Sequence, residues 1–253
     1  MAKVIGIINQ KGGVGKTTTA VSLAAYLADS GKKTLLVDED AQGNATSGLS
    51  MEKDGYTHTL YDVLINGLPP KNAVYKTAVK KLFLLPSSIA LAGAEVELVG
   101  VKDREVRLRR VIHTLSDDFD FILIDCPPSL GLMTVNALTA ADTILIPIQA
   151  EFYALEGLTQ LVKTVEMVTR HLNPDLTILG ILLTMFDGRT NLSLQVAEEV
   201  KKYFGDKVFR TVIPRTVKLS EAPSFGEPIS IYAPKSKGAE AYSDLCREVL
   251  KRV

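Results

Sequence analysis

The chain has no tryptophan, 2 cysteines and 3 histidines, and no surplus of either charge: 29 Lys and Arg balance 29 Asp and Glu. Cys126 and Cys246 give neither a disulfide framework nor a metal-ligand spacing. Both stand in apolar surroundings and read as small buried hydrophobes. With Cys246 in the terminal helical pattern, the pair offers nothing for an iron–sulfur cluster, and so few His and Cys exclude a metal-insertion site built from them. Zero net charge means that no global field advertises a polyanionic partner. No apolar run approaches the ~20 residues of a membrane span. The start, MAKVIGII, has too short an apolar run for a secretory leader. A cytoplasmic protein is expected.

What is present is a soluble α/β pattern. Hydrophobic residues make up 46% of the 253 positions, enough for a substantial core. Apolar runs suited to buried parallel strands fall at 4–8, 34–37, 82–85, 121–124, 143–148, 178–184 and 208–213. Helical patterns lie between them, at 17–29 (stopped by Gly31), 104–115, 154–172, 192–204 (capped by Thr190 or Asn191) and 238–253. A short helix is expected at 60–66 within the irregular stretch 43–70. This alternation predicts an α/β fold: a doubly wound, mostly parallel sheet with helices on both faces. No linker, repeat or low-complexity tract interrupts it, so residues 1–253 are read as one domain. Charge is uneven along the chain. Residues 201–253 carry 11 Lys/Arg against 6 Asp/Glu, a weak pointer to an anionic surface.

The chemistry is concentrated in three places. Residues 11–18 read KGGVGKTT and follow the first apolar run. A strand feeding a glycine-rich turn that opens a helix is a phosphate-binding layout. Glycines let backbone N–H groups turn inward, and the helix N-terminus adds partial positive charge. The expected phosphate contacts are Lys11, Gly12, Gly13, Val14, Gly15, Lys16, Thr17 and Thr18. Lys16 would reach the β- and γ-phosphates, and the Thr17 hydroxyl would meet Mg²⁺. The usual first glycine is missing, Gln10 standing in its place, and Lys11 is a second lysine inside the loop.

The second run ends in LLVDEDAQGN, which brings Asp38 and Asp40 to the C-terminal edge of the sheet on one face. One carboxylate can hold metal-bound water while the other faces the nucleophile; taken alone, the pair also fits strand-end caps. The third place is FDFILIDCPPS, where Asp125 ends a buried run and can stand near Mg²⁺ through water, or be purely structural. Pro127 and Pro128 then force the chain into a loop.

Together these motifs resemble the deviant Walker A ATPases of the ParA/MinD type. The stretch TMFDGRTNLS…VIPRTVKLSEAPSFGEPI extends the resemblance, over essentially the whole chain, to the chromosomal ParA/Soj-type partitioning ATPases. The resemblance implies ATP and Mg²⁺ as ligands, and Lys11 crossing to the nucleotide of a second subunit in an ATP-bound homodimer. It assigns hydrolysis to Asp40, with slow basal turnover stimulated by a ParB-like centromere-binding partner. It places Pro214, Arg215 and Thr216 against the adenine, with Met185 opposite. The family proline after Asp40 is Ala41 here, which frees one backbone dihedral but removes no catalytic group.

The resemblance also implies non-specific binding of double-stranded DNA and association with the nucleoid. Arg189 and Arg215 fall where that subgroup uses arginines on DNA, and Lys202, Lys218, Lys235 and Lys237 extend the basic surface. For any one of these a solvated face is the plainer reading. The chain begins two residues before its first strand, so the helix-turn-helix extension of operator-specific relatives is not expected. The alternative is a membrane-surface, MinD-like ATPase that positions the division site. The terminal helix argues against it, because its Glu240, Asp244 and Glu248 cancel Arg247, Lys251 and Arg252.

Overall fold

The structure, a computed structural model, describes residues 1–49, 55–151 and 154–253. Part of the irregular stretch, 50–54, therefore lies outside the described residues. Eight strands form one sheet: β1 (Lys3–Ile7), β2 (Thr34–Asp38), β3 (Tyr75–Lys76), β4 (Leu82–Leu85), β5 (Phe121–Asp125), β6 (Thr143–Gln149), β7 (Thr177–Phe186) and β8 (Val208–Pro214). Their order is β3-β4-β2-β5-β1-β6-β7-β8. Only the β3–β4 pair is antiparallel among the described pairs. The sequence contains no signal for β3, whose two residues are too few to show a period.

Among the described residues, five helices lie on one face: α1 (Lys16–Asp29), α2 (Asn44–Ser47), and, near the end of the chain, Val217–Glu221, Ile229–Tyr232 and Lys237–Arg252. The other face carries α3 (Leu60–Leu64), α4 (Leu91–Glu97), α5 (Arg107–Leu115), α6 (Leu132–Ala140), α7 (Ala154–His171) and α8 (Asn191–Phe204). The three last helices are α9, α10 and α11 in chain order. Strand alternation divides the core between the faces. Ile5, Ile7 and Leu36 pack with α1, whereas Val4, Leu35 and Val37 pack on the opposite side. The expected helix at 104–115 is a 3₁₀ turn followed by α5, and Thr190 is the cap of α8, its hydroxyl accepting from Ser193 N at 3.4 Å. Both cysteines are buried.

The order of strands sets up the site. β1 lies between β5 and β6, so the chain leaves it in the crevice where the winding reverses. In register, Ile7 stands opposite Asp125, and Asp38 opposite Asp125. The head of the glycine loop and two carboxylates are therefore abreast on three adjacent strands, each about 4.8 Å apart.

Candidate active site

Local backbone chemistry shapes the loop. Gly13 and Gly15 have φ of 74° and 84°, left-handed values that side-chain-bearing residues rarely adopt. Gly15 is the N-cap of α1, and beyond it an alanine-rich helix buries Ala20, Ala24 and Ala28. A Cβ at Gly12 or Gly13 would meet nothing within 4 Å, so the loop faces open space there. Residues that sequence reasoning missed fix it from behind. Asn9 donates to Pro147 O (2.7 Å) and accepts from Lys11 N (2.9 Å). The Thr184 hydroxyl lies within hydrogen-bond distance of Val14 O (2.8 Å) and Ile148 O (3.0 Å), tying loop, β6 and β7 together. Thr184 lies inside β7, two residues before its end, and nothing local in the sequence marks it.

The two lysines differ. Lys16 is 6% exposed, and its ammonium donates to Lys11 O at 2.9 Å. Burial lowers its pKa, while Asp125, Cys126 and Asp40 oppose that shift. Lys11 points outward and pairs with Glu151 at 3.1 Å, both side chains being well exposed.

The three aspartates also differ. Asp38 is fully buried and accepts from Asp40 N (3.2 Å), Thr46 N (2.7 Å) and Thr46 Oγ1 (2.7 Å). It thus anchors the turn into α2; burial raises its pKa to about 6 against those hydrogen bonds. Asp40 accepts from Gln42 N at 3.0 Å and lines the cleft. Asp125 is fully buried, and neither oxygen accepts a hydrogen bond of normal geometry among the described residues. Burial, then the Asp38 charge, pushes its pKa well up; the Thr17 hydroxyl and Lys16 pull the other way. An unpaired buried carboxylate is unfavourable unless a proton or cation meets it. Oxygen donors from Thr17 and Asp125 suit a hard cation such as Mg²⁺. No group of three His, Cys, Asp or Glu forms a self-contained metal site among the described residues. Mg²⁺ does not need one, because it keeps waters and phosphate oxygens as ligands.

The cleft over the loop has a volume of about 770 Å³. Gly12, Gly13, Gly15, Lys16, Thr17 and Thr18 line one end, with Asp40 and Pro128. Met185 lines it too, with φ of 49°, a strained backbone at a strand end. Pro214, Arg215 and Thr216 are absent from the lining. Pro214 ends β8, Arg215 is exposed, and Thr216 caps α9, accepting from Leu219 N at 3.4 Å. The wall is formed a turn later, by Leu219, Ala222, Pro223, Ser224, Gly226, Glu227, Pro228 and Ile229.

The expected basic surface is only partly free. Arg189 is held by Asp187 through two contacts, 2.9 and 2.8 Å, and the guanidinium holds that carboxyl down at about 2. Lys218 pairs with Glu221 at 2.9 Å. Lys202, Arg215, Lys235 and Lys237 are exposed and make no ion pair among the described residues.

Comparison with known proteins places this architecture. A protein family described as an AAA domain matches residues 2–178. The sporulation initiation inhibitor protein Soj of Bacillus subtilis (strain 168) is 59% identical over 249 residues, 98% of this chain and 98% of that one. The chromosome-partitioning ATPase Soj of Treponema pallidum (strain Nichols) is 52% identical, over 100% of this chain and 98% of that one. Among solved structures, cobyrinic acid a,c-diamide synthase from Mycobacterium smegmatis, with bound ATP analogue and magnesium, matches with a TM-score of 0.89. Its identity is 39%, over 99% of this chain and 95% of that one. Full-length relatives at this identity share more than a phosphate loop, and the chain belongs to the Soj/ParA family of chromosome-partitioning ATPases.

Proposed function

We propose that the chain is an ATP-driven switch for DNA partitioning. It binds Mg²⁺ and ATP in the cleft, pairs with a second copy, and then holds double-stranded DNA through phosphate contacts without reading sequence. Hydrolysis, slow alone and stimulated by a ParB-like partner, releases it. The observation that carries the reading is Asp125, buried and unpaired among the described residues, abreast of Asp38 and beside a buried Lys16 at the N-terminus of α1. Such a carboxylate calls for a cation, and the open glycine loop calls for an anion. A magnesium nucleotide supplies both, and the solved relative with ATP analogue and magnesium supports the assignment.

Each residue then has a part. Backbone N–H groups of Gly12 to Thr18 cradle phosphate oxygens, and Lys16 exchanges Lys11 O for the terminal phosphates. Thr17 and Asp125 would hold Mg²⁺, with Asp38 fixing the loop beside them. The ion supplies positive charge where the transferring phosphoryl group accumulates negative charge. Asp40 keeps one oxygen on Gln42 N and uses the other to orient the attacking water. Lys11, outside the cleft, leaves Glu151 to reach the nucleotide of the second copy. Met185 and the 219–229 wall take the base.

The membrane alternative lacks support. No helix among the described residues is long and apolar enough to cross a membrane. The apolar side of α11 is already buried in the core through Tyr242, Leu245, Cys246 and Val249, and the Tyr242 hydroxyl bonds Thr19 at 3.1 Å. The deciding experiment measures binding to random-sequence DNA and to anionic liposomes, with and without ATP. ATP-dependent, salt-sensitive DNA binding is expected, lost when Arg189 and Arg215 are both replaced by glutamate. ATP-dependent liposome binding without DNA binding would reverse the assignment.

A further inference from the structure

Across the sheet from the nucleotide cleft, a second cavity of about 310 Å³ opens between the C-terminal end of α3, the turn that follows it, and α5. It shares no lining residue with the cleft. Arg107, Val111 and Thr114 reach it from α5, their spacing of four and three residues putting them on one side of the helix. Val63 and Leu68 stand on the other wall. The volume lies at the lower end of the range for small-molecule pockets, about 300–1,000 Å³.

Arg107 is out of balance in this place. It is half-buried, yet it makes no ion pair among the described residues. Its Nη1 donates to Leu64 O at 2.8 Å, at the last turn of α3. That bond uses one of the five N–H donors of the guanidinium. Nε is buried and has no acceptor among the described residues. A buried donor without an acceptor is unfavourable, and so is a cation drawn from water without an anion. No acidic residue lines the cavity among the described residues. Arg110, on the same wall, is engaged only with Asp103 at 2.7 Å, an exposed pair of little strength.

We propose that this cavity is a second ligand site, which takes a small free carboxylate with a compact aliphatic body. The carboxylate sits on Arg107, and the body lies against Val63, Leu68 and Val111. A guanidinium fork matches the two oxygens of a carboxylate and makes the charge-assisted bonds that Arg107 lacks. A phosphate dianion would press further charged oxygens against apolar walls. A neutral molecule would leave the guanidinium unpaired. The site stands apart from the nucleotide, so it holds whether or not the chain is the switch proposed above.

The test is a nuclear magnetic resonance titration of the full ¹⁵N-labelled chain with isocaproate at constant ionic strength. Saturable shifts confined to residues 63–70 and 107–114 are expected, with a Kd of about 1 mM, the scale of a fragment that uses both ends of a pocket. The neutral isostere isocaproamide should bind at least tenfold more weakly, as should isocaproate to Arg107→Gln. Thr114 is exposed at the mouth, so Thr114→Trp should plug the cavity, leave the core intact and weaken binding about tenfold. Neither inorganic phosphate nor a blocked Ala-Glu-Leu-Ala peptide is expected to displace isocaproate. Absence of saturable shifts, equal binding of the amide, or displacement by phosphate or by the peptide overturns the proposal. So does undiminished binding by Thr114→Trp, which decides the matter even where Arg107→Gln fails to fold.

Discussion

The two ends of the cleft are built by opposite means. At the phosphate end, eight consecutive residues present backbone groups, and two strand ends bring carboxylates beside them in register. At the other end, where we propose the base sits, side chains and turns from two short helices and the stretch between them form a wall around Leu219, Pro223 and Ile229. One end is local in sequence; the other is assembled from pieces whose positions depend on what packs behind them. On the proposed reading charge decides binding at the first and shape at the second, so substitutions should separate them.

The largest effect is expected at the phosphate end. Lys16→Ala removes the one buried cation in the loop, and ATP affinity should fall about a hundredfold or more. Tripolyphosphate, which lacks a base, should lose affinity to the same extent. Calorimetry with both ligands tests this; undiminished ATP binding by the folded variant would remove the assignment. Asp40→Ala should instead spare binding and cut turnover about a hundredfold, the scale of one general acid–base group. Phosphate release and nucleotide affinity, measured on the same sample, distinguish the two roles.

The base end should respond differently. Gly238, in the first turn of α11, leaves room for Leu219: a Cβ there would be 2.8 Å from Leu219 Cγ. Gly238→Ala should push Leu219 into the cleft and weaken ATP binding about tenfold, the value of a misplaced methylene or two in an apolar pocket. Tripolyphosphate should bind as before. Equal losses for both ligands would mean that the two ends are coupled and the comparison fails.

This difference also governs what the sequence makes visible. KGGVGKTT, VDED and LIDCPPS are contiguous, and each ends a strongly apolar run, so the strands, the loop and Asp125 could be read directly. The far wall of the cleft could not. SEAPSFGEPISIY has no helical period, and its placement depends on packing against α1 and α11, so its share of the cleft lining, between Leu219 and Ile229, could not be picked out beside the expected Pro214, Arg215 and Thr216. Thr46 and Thr184, which hold Asp38 and the loop, were equally invisible: a single hydroxyl finds its partner only in three dimensions.

A last contrast lies on either side of one strand end. Asp40 lines the cleft and Asp38, on the same side of the strand, anchors α2 through Thr46, while Glu39 between them points into the core, 1% exposed, with neither carboxylate oxygen hydrogen-bonded among the described residues. Burial, first of all, raises its pKa well above the ordinary glutamate value; the nearby Cys126 thiol opposes this, and Glu95, Asp125 and Asp38 add to it. An acid whose folded pKa is raised stays protonated in the native chain after the unfolded chain has let its proton go. Stability therefore falls as pH climbs from about 4.5 toward the raised value, and is greatest below that window. Glu39→Leu removes the group and fills the same space, so it should stabilise the chain by about 1–3 kcal/mol at pH 8 and by less at pH 5. Asp38 and Asp125 contribute a slope of the same sign in both proteins, so the difference between the two urea midpoints isolates Glu39. A gain of equal size at both pH values would show that Glu39 carries no unpaired charge in the fold. Its cost would then come from shape alone, as at the base end, and not from charge, as at the phosphate end.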